Sequence, residues 1–355
     1  MKNLIFNLFA FLFITSSVFA QEKNSRPFQI SFLYPLGING TNTQVASDGS
    51  FNVLWGVNGG VNYFELGGIA NVNNGDVRGG QIAGITNVTR GESNGLVISG
   101  ITNLNTSSAR GLQLAGINNY TNNEVNGAQI SGISNISGGD MNGAQIGLIN
   151  TVRGNLKGAQ VGLVNYTDSL NGAQIGLINV VKDGAKGTPI GLINVVKNGY
   201  YAVEVGVGET VWGNVNFKMG TQKFYTIFKA GYTQYNDKNV NTFGAGFGTQ
   251  LELAKRVNLA LDLSANQVVH DNTWKDTGLN LLNKADLNVQ VKLAKNISIY
   301  AGPSLNVYTT DYKLNGNETA GTLDVPEHAF YDETSDHGTR TAIWVGGQAG
   351  LNFTF

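Results

Sequence analysis

The phrase Gly-apolar-x-Asn recurs nine times between residues 68 and 194, and it restricts the fold of this chain more than any other feature. Its asparagines are Asn71, Asn87, Asn103, Asn119, Asn135, Asn150, Asn165, Asn179 and Asn194, with successive spacings of 16, 16, 16, 16, 15, 15, 14 and 15. A Gly-x-Gln phrase precedes most copies, through Gln81, Gln113, Gln129, Gln145, Gln160 and Gln174; Val97 and Pro189 replace the glutamine in two of them. Polar turn letters such as NNGD, RGES and SGGD separate the copies. Each copy therefore reads as a short β-forming phrase plus a turn.

Two arrangements fit. In an antiparallel meander, odd and even copies meet different surroundings and should diverge in sequence. In a solenoid, every coil runs the same way and stacks about 4.8 Å from the next, so equivalent positions share one environment. The copies do not alternate, which favours the solenoid; a strand-per-copy meander is the alternative. In the solenoid the expectation is that Ile and Leu stack inside, Asn stacks at a corner, and Gly supplies the corner's backbone freedom. Nine coils give a rod roughly 40 Å long whose ends need covering.

From Tyr201 the period becomes two. Val257, Leu259, Leu261 and Leu263 alternate with Asn258, Ala260, Asp262 and Ser264, and Leu287, Val289 and Val291 alternate with Asn288, Gln290 and Lys292. Eight strands are expected near 201–208, 211–219, 223–233, 242–253, 257–264, 285–293, 297–308 and 341–355. Short connections (254–256, 294–296) alternate with long ones (265–284, 309–340), as in outer-membrane barrels. Trp212, Tyr225, Tyr300 and Tyr308 near strand ends are expected in aromatic girdles, and Phe355 closes the chain on the apolar face of the last strand. Residues 28–36 and 50–57 alternate in the same way and bring the expected barrel to ten strands.

The expected fold is thus all-β: a β-solenoid-like array of about nine coils of 14–16 residues inserted in an outer-membrane antiparallel β-barrel of roughly ten strands. The expected division is a signal peptide at 1–20, N-terminal barrel strands at 21–58, the repeat array at 59–199 and C-terminal barrel strands at 200–355. The leader reading rests on Lys2, an apolar run from Leu4 to Ile14, and Val18-Phe19-Ala20 before the cleavage point. The run is too short to span a bilayer as a helix.

The leader, the GxQIxGIxN and GAQIGLIN phrases, and the closing stretch LLNKADLNVQVKLAKNISIYAGPSLNVY together resemble the bacterial surface-repeat outer-membrane proteins. The resemblance covers nearly all of the mature chain. It implies an outer-membrane or surface location, no enzymatic activity and no catalytic residues to transfer. It also implies repeats on the outside. Counting strands back from a periplasmic Phe355 instead starts the Tyr201 strand in the periplasm, so the side stays open.

Little else in the chain points to chemistry. It has no cysteine, which excludes disulfides, thiolate metal sites and cysteine nucleophiles. Net charge is -1, with no basic excess to suggest nucleic acid. Gly244-x-Gly246-x-Gly248 has the outline of a phosphate loop but lacks the helix and the Lys-Ser/Thr that such a loop uses; small residues on a barrel's inner face account for it better. The 324–338 loop carries Asp324, Glu327, His328, Asp332, Glu333, Asp336 and His337, whose carboxylates and imidazoles suit a divalent cation in type but not in EF-hand spacing, and a solvated acidic loop is the simpler account. No catalytic residue, cofactor or small-molecule substrate is expected. The expected partners are outer-membrane lipid and, through the repeats, polysaccharide or another surface protein. A small passive or plugged transport barrel is the alternative function, and a secreted soluble repeat protein is a third.

Overall fold

The computed structural model describes residues 25–271, 278–313 and 320–355; the expected leader at 1–20 lies outside them. The chain is all-β, a parallel β-solenoid of about nine turns joined to a closed eight-stranded antiparallel barrel.

Coils stack in register. Asn71 pairs with Asn87, Asn103 with Asn119, and Asn179 with Asn194, always in parallel. Each central coil has two short strands, such as Val125–Ser131 and Ser134–Ser137, joined by a Gly-apolar corner. This is the solenoid and not the meander, and the reason is the one read from the repeats: stacked coils give identical residues identical surroundings. Glycine is needed where backbones of successive coils nearly touch. Gly127 has a φ of 142°, and a Cβ there would stand 2.0 Å from the Gly111 carbonyl oxygen.

The expectation that Ile and Leu fill the solenoid is overturned. The asparagines and glutamines are inside, with Asn119, Asn135, Gln129 and Gln145 fully buried, while Ile and Leu stack on the outside. An apolar interior row survives near the turn edge, through Val125, Met141, Leu156 and Leu170. Period-two alternation groups residues by face. It does not say which face turns inward.

The expected N-terminal barrel strands are also corrected. Ser25–Leu33 pairs in parallel with Ala46–Asn58, which pairs in parallel with Gly60–Gly67 and Ala70–Asn73. Residues 28–36 and 50–57 therefore open the solenoid, and the barrel has eight strands rather than ten. Their inward Gln29, Ser31, Ser50 and Asn52 match the polar interior of the coils, while Phe28, Ile30 and Phe51 face out.

The barrel strands are β1 (Tyr200–Gly208), β2 (Gly213–Thr221), β3 (Phe224–Tyr235), β4 (Lys238–Ala254), β5 (Val257–His270), β6 (Asn280–Ala294), β7 (Ile297–Thr310) and β8 (Arg340–Thr354). Closure comes from β1 pairing with β8, Val203 opposite Phe353. β5 and β6 run further than expected, so the 265–284 loop shrinks to 271–279. Leu261, Leu263, Leu287, Val289 and Leu351 point outward and are exposed, whereas Asn258, Asp262, Asn288, Gln290 and Asn352 are buried within. The short turns at 222–223, 255–256 and 295–296 lie at the same end as the solenoid and Phe355, whose N–H donates to the Tyr201 carbonyl (3.1 Å).

Candidate functional site

The solenoid interior is built from two amide ladders. In the first, each Asn Nδ2 donates to the Asn Oδ1 of the next coil toward the barrel: Asn71 to Asn87 at 3.0 Å, Asn103 to Asn119 at 2.9 Å, Asn135 to Asn150 at 3.0 Å, and Asn179 to Asn194 at 2.8 Å. The second proton of most rungs goes to a backbone carbonyl, as in Asn135 to Ile146 at 2.8 Å. All nine expected ladder residues occupy equivalent buried positions. The second ladder was not foreseen as such. Gln174 donates to Gln160 (2.8 Å), Gln160 to Gln145 (2.8 Å), Gln145 to Gln129 (2.7 Å) and Gln129 to Gln113 (2.8 Å). It runs the opposite way, so the side-chain dipoles of the two ladders oppose each other. Burial of so many amides is tolerable because nearly all of their polar atoms are paired; Gln174 Oε1, opposite Pro189, is an exception.

Glu65 begins the glutamine row. It is fully buried and accepts from Asn52 (3.0 Å), Asn58 (2.7 Å), Asn73 (2.5 Å) and Gln81 (2.9 Å). Burial raises its pKa above the ordinary carboxylate range, against the lowering effect of those amide donors. Sequence reasoning missed this residue; the signal was a Glu at the position that Gln takes sixteen residues later.

At the other end the solenoid meets the outer wall of the barrel. Asn194 Nδ2 donates to Thr226 Oγ1 at 3.1 Å, and that hydroxyl donates to the Gly191 carbonyl at 2.7 Å. Thr226 is buried, yet it points outward from β3, opposite the exposed Phe247 of β4. Tyr201 Oη bonds both the amide and the carbonyl of Val196, at 2.8 Å and 3.1 Å. Beside this junction a half-open cleft of about 940 Å³ is lined by the exposed Lys157, Lys186, Lys197 and Lys223 together with Asp183.

The barrel lumen is filled in layers. Tyr200, Ala202, Tyr225 and Ile227 pack nearest the solenoid. Above them Lys218 Nζ lies 2.7 Å from Glu204 and 2.6 Å from Asp262, and Tyr225 Oη donates to Asp262 at 2.6 Å. Next, Asp286 meets Lys229 at 3.0 Å and Lys284 at 3.6 Å. Three carboxylates thus face three ammonium groups. At the far mouth Leu323, from the long 311–339 connection, packs with Val240, Val268, Leu282, Tyr308 and Trp344. Its neighbour Thr322 accepts from Asn280 (2.9 Å). Tyr225, Tyr300 and Tyr308 therefore line the lumen instead of forming a girdle, and of the four expected girdle residues Trp212 alone is exposed. Glycine on the inner face makes room for these side chains: a Cβ at Gly248 would stand 2.3 Å from both Asp262 and Tyr225.

The acidic loop candidates are dispersed. Arg340 clamps both oxygens of Asp332, at 2.7 Å and 2.6 Å, and His328 lies 3.2 Å from the Val345 carbonyl and 3.7 Å from Glu209. Asp324, Glu327, Asp336 and His337 join no shared cluster: among the described residues no three His, Asp or Glu side chains gather as a metal site.

Outside the solenoid, three rows of apolar side chains run along one edge. The corner row of Ile85, Ile101, Ile117, Ile133, Leu148, Leu163, Leu177 and Leu192 is 39–54% exposed. It is flanked by Ile82, Leu114, Ile146 and Ile175 on one side and by Ile149 and Ile193 on the other. Charged residues such as Arg110, Glu124, Lys157 and Asp183 occupy the opposite, turn edge. No family model, curated protein or solved structure matches the chain.

Proposed function

We propose that the chain is a non-enzymatic outer-membrane protein of the surface-repeat kind, in which the barrel is the anchor and the solenoid a regular surface for structure or binding. The observation that carries this reading is the polarity of the barrel wall, apolar outward and ionic inward, because a closed antiparallel barrel of that polarity suits hydrocarbon. The packed lumen supports an anchor over a transport path, as eight strands leave an interior that side chains can fill. Outer-membrane barrels keep their long connections on the outer side, and here the long 271–279 and 311–339 connections lie at the end away from the solenoid, whose own end has only two-residue turns. This reading sets the repeats on the periplasmic side, against the outward display that the resemblance implies. The charged turn edge is then the face offered to an envelope polysaccharide or protein.

The test has two parts. The purified protein should shift its SDS gel mobility on heating and stay electrically silent in planar bilayers. A protease site placed in the 137–140 turn should be cut only after cells are permeabilised. An unshifted band argues against the barrel anchor, steady conductance restores the transport reading, and cleavage on intact cells moves the repeats outside.

A further inference from the structure

The solenoid has the polarity of the barrel wall and not that of a water-soluble fold. Its Asn and Gln ladders are inside, and the Ile and Leu of its corners are outside along one edge, with an apolar row from Val125 to Leu170 kept inside near the turn edge. A continuous apolar edge of nine corners, roughly 40 Å long at the coil spacing, exceeds what a monomer in water leaves bare.

Three observations say what covers it. First, most of the corner backbone donors are paired within the stack. The N–H groups of Ile85, Ile101, Ile117, Ile133, Leu163 and Leu177 each donate to the corner carbonyl one coil earlier, at 2.9–3.1 Å. Hydrocarbon demands that internal pairing, whereas water does not. Second, the edge becomes more apolar toward the barrel. The position after the corner is Thr86, Thr102, Asn118 and Ser134 in the distal coils, then Ile149, Val164, Ile178 and Ile193 in the proximal ones. Third, the edge runs into the outer wall of the barrel. The last coil seats on the outward-facing Thr226, whose cross-strand neighbour Phe247 is followed by Leu263, both exposed.

We infer that the Ile/Leu edge of the solenoid lies in the hydrocarbon of the membrane leaflet beside the barrel, with the charged turn edge in water. The inference rests on the reading of the barrel as membrane-spanning. A protein partner explains an apolar edge, but not its widening toward the barrel belt or its continuity with it. The solenoid then acts as a half-embedded spar that extends the barrel's contact with one leaflet. It lies within the interface as an amphipathic helix does, with coils in place of turns.

The chain lacks cysteine, so single cysteines can carry a nitroxide at Ile117, Leu148 and Leu177, with Leu263 as the barrel control and Asn123 as the turn-edge control. In proteoliposomes, oxygen and a water-soluble nickel complex report lipid and water exposure. The expected result is that the oxygen-to-nickel ratio at the three corner sites matches Leu263 and exceeds Asn123. Nickel access at the corners with lipid access at Leu263 overturns the inference and leaves the barrel reading intact. Nickel access at Leu263 as well sinks the barrel reading itself. Corner sites shielded from both probes point to a covering protein, which also overturns the inference.

Discussion

Asn194 and Thr226 are thirty-two residues apart and share the hydrogen bond that ends the asparagine ladder, with Nδ2 3.1 Å from Oγ1. The threonine belongs to the barrel's outer wall and the asparagine to the solenoid's interior, so the last amide of the stack finds its acceptor in the neighbouring domain. The same hydroxyl donates to the Gly191 carbonyl, which also accepts from Asn194 Nδ2 at 2.8 Å. A parallel stack has two open ends, and this contact closes one of them.

Thr226→Val keeps the shape and removes both bonds. The docked state should lose about 1–3 kcal/mol, the range for orphaning buried polar groups. Limited proteolysis at the 197–199 linker should become faster, while the heat-dependent gel shift of the barrel stays the same. Unchanged proteolysis would show that the junction does not depend on this hydroxyl.

Val97 interrupts the glutamine ladder between Gln81 and Gln113. Val97→Gln supplies an acceptor for Gln113 and a donor for Gln81, and should stabilise the solenoid by about 1 kcal/mol. The converse change, Gln129→Val, removes one bond each from Gln113 and Gln145, which keep Thr121 and the Thr151 carbonyl, and should cost about 1–3 kcal/mol in all. Chemical denaturation followed by circular dichroism measures both. A destabilising Val97→Gln would mean that packing at this rung outweighs pairing.

Glu65 makes stability depend on pH. Its pKa in the folded chain lies above the ordinary value of 4.5, so between the two values the folded state holds the proton more tightly than the unfolded state. Stability therefore falls as pH rises from 4.5 through the raised pKa, and the full contribution is present only below that window. Glu65→Gln should remove this slope. Denaturation midpoints of the two proteins across pH 4–8 provide the check, and parallel profiles would count against it.

Lys218 holds two buried carboxylates apart electrically, Glu204 and Asp262. Lys218→Met leaves both without a counter-charge and should destabilise the barrel by about 3–5 kcal/mol. The triple change Glu204→Gln, Lys218→Met, Asp262→Asn should recover much of that loss. Apparent melting temperatures from the gel shift rank the three proteins, and a single variant as stable as the parent would refute the part assigned to this ion cluster in the packed lumen.

Several parts of the molecule were legible along the chain. The spacing of Asn71 through Asn194 named the rungs, and the lack of odd–even alternation named parallel stacking. The alternation after Tyr201 located all eight barrel strands and placed Asn258 and Asp262 opposite Leu259 and Leu261. Other parts were not legible. Residues 28–36 alternate just as barrel strands do, and only pairing with Ala46–Asn58 assigns them to the solenoid. Tyr225 and Tyr308 sit near strand ends, where girdle residues also sit, yet their side chains meet Asp262 and Asn280 in the lumen.

The amino-acid order by itself determined which residues share a row and a face, because strand geometry repeats every two residues and coil geometry at each copy. Which of the two faces turns inward was decided by the tertiary structure alone. Reversing a period-two pattern leaves it a period-two pattern. The choice between amides inside and aliphatics inside depends on pairing across coils and on what surrounds the closed sheet, and neither is a property of any local stretch.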